Sequence, residues 1–137
     1  MITDEAKSLS IYAAHGRDAG KTFIIREIDP LSLSGYVLRL VSALRVESYE
    51  AMIDEFRAAS ERKEGGAPID AVMRVLRGAD PKAVHELISE LVAGYVSIAP
   101  DPKHPGALRA IMVSEDIREI RTLGEILTGF AKLHFAF

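Results

Sequence analysis

The sequence predicts a mainly α protein, a small single-domain helical bundle over residues 1–137 with an N-terminal β-hairpin. One reason is a change of hydrophobic period between Lys21 and Leu44. Thr22-Phe23-Ile24-Ile25-Arg26-Glu27-Ile28 is a β-branched, aromatic run suited to a half-buried strand. After Asp29-Pro30, residues Leu33, Val37, Leu40, Val41 and Leu44 fall on one helical face. A second reason is that Pro68 and Pro81 stand at helix starts, each ahead of a further apolar stripe. The third is length: 137 residues form one domain that buries roughly 65–70% of the surface of its extended chain, so the fold requires no metal or disulfide.

In chain order, Leu9, Ile11 and Ala13 alternate with Ser10, Tyr12 and Ala14, and residues 15–20 supply turn chemistry, which gives a hairpin over about 9–28. A helical region over about 30–95 follows. Its first helix carries the Leu33–Leu44 stripe, with Val41 on the core side and Arg39 on the polar side. Val46, Tyr49, Ile53 and Phe56 mark a second stripe, opposite the wet carboxylates Glu47, Glu50, Asp54 and Glu55, that runs out in a solvated end and loop at 60–66. Ile69, Val72, Met73 and Leu76 form a third, stopped by Gly78. Asp80 is an N-cap for a fourth with Val84, Leu87, Ile88 and Leu91, stopped at Gly94; these last two helices are expected to pack as an antiparallel hairpin.

A Pro-rich loop is expected over about 99–106, because three prolines remove donors and fix the backbone. A short strand is expected within 108–113. Thr122-Leu123-Gly124-Glu125 matches a capping box and starts a C-terminal helix over about 122–135; Ile117 and Ile120 belong either to a preceding turn or to the same helix with a kink near Gly124. Lys132 and His134 near its end suit the negative pole of the helix dipole.

Composition narrows the function classes. Cysteine is absent, which excludes disulfides, thiolate zinc sites and cysteine nucleophiles and permits a reducing compartment. Met1-Ile2-Thr3-Asp4-Glu5 has acids where a signal peptide has bases, and no run approaches the roughly 18 apolar residues of a membrane span. A cytoplasmic location is expected, with no membrane partner. A formal charge of −3 disfavours nucleic acid, which is bound by clustered Lys and Arg.

Apparent chemical motifs read better as structure. Gly16-Arg17-Asp18-Ala19-Gly20-Lys21-Thr22 ends like a phosphate loop, but the first glycine is one residue too close and a strand, not a helix, follows. Lys21→Ala is therefore expected to leave function and stability nearly unchanged. Ser60-Glu61-Arg62-Lys63 has the Ser-x-x-Lys spacing of serine acyl enzymes without their companion motifs. His85-Glu86 lacks the second histidine of a zinc protease helix, and His15, His85, His104 and His134 are too far apart for a local ligand set. No catalytic, cofactor or metal residue is expected. The candidate protein-binding surface is Leu133, Phe135 and Phe137, in a C-terminal segment that is apolar on more than one face.

The string GKTFIIREIDPLSLSGYVLRLVSAL resembles the opening of small tail assembly chaperones of tailed bacteriophages, in which a "G+.F.I+E" strand precedes a helix with an arginine-leucine centre. The final SEDIREIRTLGEILTGFAKLHFAF is similar to the family's closing segment with its leucine-rich helix. The resemblance implies a small, mostly helical, non-enzymatic protein of the bacterial host cytoplasm. It also implies that the partners are the tape measure protein, a long helical chain kept soluble until the tail is built, and the tail tube protein that polymerises around it. Two other readings remain open: a structural tail or head-tail connector subunit, and a small nucleotide-binding enzyme using the Gly20-Lys21-Thr22 turn.

Overall fold

A computed structural model describes residues 7–61 and 68–135. Lys63 of the Ser-x-x-Lys spacing, the loop glycines Gly65 and Gly66, Phe137 and the acidic N-terminal residues lie outside them. About 60% of the structure is helical, with six α-helices and a four-stranded antiparallel sheet among the described residues.

The hairpin forms where alternation places it. Strands β1 (Ser8–Tyr12) and β2 (Thr22–Arg26) pair with Leu9 opposite Ile25 and Ile11 opposite Phe23. Period-2 geometry sends these four side chains to the core face and leaves Ser8, Ser10, Tyr12 and Arg26 exposed. The sheet then continues beyond the hairpin. β3 (Val96–Ala99) pairs with β2, Phe23 opposite Ile98, and β4 (Arg109–Ala110) adds two residues outside it, in the order β1-β2-β3-β4.

Helix α1 (Pro30–Leu44) is capped by Asp29, whose carboxylate accepts the Ser32 N–H at 2.9 Å, and starts with Pro30 at a position where no backbone donor is needed. It ends on Arg45 in the left-handed region (φ 59°), whose N–H donates to the Ser42 carbonyl. α2 (Tyr49–Glu61) buries Met52 and Ile53; α3 spans Pro68–Val75; α4 (Pro81–Tyr95) is capped by Asp80 on the Lys82 N–H. Gly35 sits inside α1 at an exposed position where an added Cβ would meet nothing within 4 Å. Gly35→Ala should therefore raise stability by about 0.5–1 kcal/mol through helix propensity alone, measured by urea unfolding.

Several expectations are corrected. α4 runs through Gly94 to Tyr95 and passes directly into β3, so Ala99 is a buried strand residue paired with Thr22, and the Pro-rich loop begins one residue later. Val96-Ser97-Ile98-Ala99 is too short a run for its period to stand out beside a helix. The strand expected over 108–113 shrinks to Arg109–Ala110, and Val113 opens the short helix α5 (Val113–Asp116). α3 packs chiefly on α6 and α2 while α4 packs on α1, so α3 and α4 are not each other's main partners. The C-terminal helix α6 (Ile120–Phe135) begins two residues before the expected capping box, placing Thr122 inside it and buried. Gly124 marks no break in α6: it lies against Ile69 of α3 so closely that an added Cβ would sit 2.6 Å from Ile69 backbone atoms.

The core lies between the sheet and α4 and α6. Phe23, Ile25, Val92, Ile98 and Ile126 have essentially no exposure, and Phe130 closes the cluster. Gly129 lets α6 approach β1 and β2, since its missing Cβ would overlap Ile11 and Ile25. Among the described residues, no helix is long and apolar enough to cross a membrane.

Candidate functional site

Helices α1, α2, α3, α4 and α6 leave an apolar groove around a cavity of about 140 Å³. Its α1 wall is Leu33, Tyr36, Val37 and Leu40, residues at i, i+3, i+4 and i+7, which share one face of a helix. Facing them are Leu87, Ile88 and Leu91 of α4, with Val72 and Val75 of α3 and Leu127 and Phe130 of α6 closing the floor. The α1 residues expected in the core are half-buried because this groove stands beside them; the fully buried α1 residue is Ala43.

His134 fixes one end. Its Nε2 accepts the Ile28 N–H at 2.8 Å while Nδ1 lies 2.8 Å from the Phe130 carbonyl oxygen. A nitrogen that accepts from an amide carries no proton, so the ring proton is on Nδ1 and donates to Phe130. The imidazole thus ties α6 to the link between β2 and α1.

At the rim, the Tyr36 and Tyr95 rings meet edge-on with centroids 6.0 Å apart, and the Arg39 guanidinium lies 5.9 Å from the Tyr36 centroid while pairing with Glu90. Burial, followed by the Tyr95 hydroxyl, pushes the Tyr36 phenol up. The hydrogen bond from Arg39 holds Glu90 below its ordinary value. Both ends of that ion pair are well exposed, so it contributes little to stability and mainly makes the rim polar.

Of the residues expected to form a binding surface, Leu133 and Phe135 are half-buried. Leu133 packs against the core cluster. Phe135 lines the groove, stacks on Phe56 with centroids 5.9 Å apart and meets Tyr49 edge-on at 6.1 Å. Phe137 lies outside the described residues. Phe135 is therefore part of the α2–α6 packing, and its removal would strip an aromatic contact from the fold itself.

A second cluster joins the hairpin turn to the start of α6. Asp18, with no exposed surface, accepts the Arg118 N–H at 3.0 Å, the Glu119 N–H at 3.0 Å and the Lys21 ammonium at 2.9 Å. Burial would raise this carboxyl, but the Thr122 hydroxyl, Lys21 and the two backbone donors outweigh it and hold Asp18 below its ordinary value. Lys21 also donates to the Asp116 carbonyl at 2.8 Å. The Asp116 carboxylate takes two hydrogen bonds from Arg109, at 2.8 and 2.7 Å, and one from the Met112 N–H; the Arg109 bonds are the first cause of its lowered value. Asp18 is thus the cap that Thr122 was expected to be, supplied from 100 residues away. Lys21 is its counter-ion, so Lys21→Ala is not a neutral change: it leaves a buried carboxylate without its charge partner. No motif spacing pointed to Asp18, whose two backbone partners lie about 100 residues along the chain, or to Arg109 and Asp116, which pair seven residues apart across the irregular stretch between β4 and α5.

No protein family, curated protein or solved structure matches the chain.

Proposed function

We propose that this protein is a tail assembly chaperone of a phage or prophage, acting without catalysis in the host cytoplasm, which holds apolar helical segments of the tape measure protein until tail tube subunits assemble around them. The observation that supports this most is the half-exposed apolar groove with a polar rim. An amphipathic helix buries its apolar face in such a groove through side chains at i, i+3, i+4 and i+7. A cavity of about 140 Å³ is close to the roughly 150 Å³ that accommodates benzene in an engineered protein core, so it has room for one large apolar anchor. In this reading the helices work as a bundle whose seam has been left open.

The test is co-expression with the tape measure protein, scored by the soluble fraction. Ala71 lines the cavity from α3, and Ala71→Leu places three further carbons in it without adding polarity. The variant should stay folded, with a melting temperature at or above that of the wild type, and should lose most of the solubilising activity. A folded Ala71→Leu protein with full activity would move the binding surface away from the groove.

A connector subunit would remain in purified particles, whereas a chaperone should be absent from them, which mass spectrometry decides. The nucleotide reading requires a phosphate to compete with Asp18 for the Lys21 ammonium. Saturable ATP binding abolished by Lys21→Ala would favour it.

A further inference from the structure

Strand β1 is an outer strand of the sheet, and its free edge is built to pair with itself. The backbone bonds at the two ends of the hairpin fix which groups face outward: Ala13 N–H donates to the Lys21 carbonyl and Glu27 N–H to the Lys7 carbonyl. In an antiparallel ladder, paired and unpaired residues alternate. Lys7, Leu9, Ile11 and Ala13 therefore spend their backbone groups on β2, while those of Ser8, Ser10 and Tyr12 point away from it. Among the described residues nothing pairs with these outward N–H and C=O groups. The edge also lacks the usual protection: β1 contains no proline and no charge.

From these features we infer that two copies of the chain associate through β1, antiparallel about a two-fold axis at Ser10, to join their sheets into one. Ser10 faces Ser10 of the second copy, and Ser8 faces Tyr12. All three residues are then in hydrogen-bonded positions, giving about six inter-chain bonds. The side-chain pattern is self-complementary in the same register. Leu9 and Ile11, half-buried beneath α6, come opposite Ile11 and Leu9 of the copy in the closer, non-hydrogen-bonded positions, where apolar cross-strand pairs contribute most. On the outer face, the two Ser10 side chains meet without like-charge repulsion. A second copy fits this edge because every group it offers finds its partner under one symmetry operation. This inference is independent of the groove.

Sedimentation equilibrium over a dilution series should show a concentration-dependent dimer. Ser10→Lys, at an exposed position, puts two ammonium groups face to face and should weaken the dimer roughly tenfold or more while leaving the circular-dichroism melt of the monomer unchanged. Mixing Ser10→Lys with Ser10→Glu should restore association as a heterodimer. Because the chain has no cysteine, Ser10→Cys supplies a single thiol. Hydrogen-bonded cross-strand Cα atoms lie about 5.5 Å apart, within disulfide reach, so oxidation should give a covalent dimer. Ser8→Cys should not cross-link, since its symmetry mate lies about four residues, or roughly 13 Å, along the strand. A protein that stays monomeric through the high-micromolar range, a Ser10→Lys dimer of wild-type affinity, or equal cross-linking by both thiols would overturn the proposal. Should Ser10→Lys lose its folded spectrum, the two cysteine variants decide, because they add neither charge nor significant bulk.

Discussion

Asp18→Ala is expected to lower the free energy of unfolding by about 3–5 kcal/mol, the range for breaking a buried ion pair by removing one partner. The carboxylate has no exposed surface and satisfies the Lys21 ammonium together with two N–H groups at the start of α6. Its removal leaves a largely buried cation and two unpaired donors in one place. A small domain has a margin of only about 5–15 kcal/mol, so the variant should lie near the edge of folding at 37 °C. Urea unfolding gives the value, and a loss under about 1 kcal/mol, typical of surface changes, would show that water substitutes for the carboxylate. The same group sets an acid limit. Its folded value is depressed below the ordinary 3.8, so its contribution is complete above that pH and is lost as pH falls through the folded value. Asp18→Asn should accordingly be less stable at neutral pH and lose less stability than the wild type on acidification below about pH 4.

Gly124→Ala should destabilise by about 1–3 kcal/mol or more, although the same exchange inside a helix ordinarily stabilises. The sign is reversed by the approach of α3. An added Cβ would meet the Cα, Cβ and N of Ile69, all at 2.6 Å; backbone cannot swing aside, so α3 must shift as a unit and open the floor of the groove. Gly129→Ala is a useful comparison. Its Cβ meets the Cδ1 atoms of Ile11 and Ile25 at 2.7 Å, which are ends of rotatable side chains, and its effect should be smaller. Thermal melts of the two variants beside Gly35→Ala test the order: a rise for Gly35, a modest fall for Gly129 and the largest fall for Gly124. Equal melting temperatures for the Gly124 variant and the wild type would mean that the two helices can separate freely.

The parts of the fold legible in the sequence are those set by neighbours along the chain. Asp29-Pro30 and Asp80-Pro81 cap α1 and α4 through contacts within three residues, and alternation over Leu9, Ile11, Phe23 and Ile25 places the hairpin. What stayed hidden depends on distant groups. β3 is four residues long and is a strand because β2 offers it a partner. The sequence leaves a kink at Gly124 open as one of two readings, because a glycine in a helical pattern does not reveal that a backbone approaches it. Thr122 satisfied the local pattern of a cap, yet Asp18 took that role and drew Thr122 into the helix. The groove is half legible: the α1 stripe shows in the sequence, but whether such a stripe is sealed or left open depends on α2, α3 and α6, and the stacking of Phe135 on Phe56 has no local signal.

The contact between the hairpin and α6 also orders events during synthesis. β1 and β2 precede α1 to α6 along the chain, and the helix that covers Leu9, Ile11 and Ile25 starts 94 residues after β2 ends, at 120 against 26. At about 5–20 residues per second, the apolar face of the hairpin waits roughly 5–20 seconds for its cover. α1 to α4, whose contacts are nearer in sequence, have time to form before then. The nascent chain is thus a helical assembly beside a sheet whose α6-facing side is uncovered, and this exposed interval ends only when α6 has emerged and its N-terminus reaches Asp18.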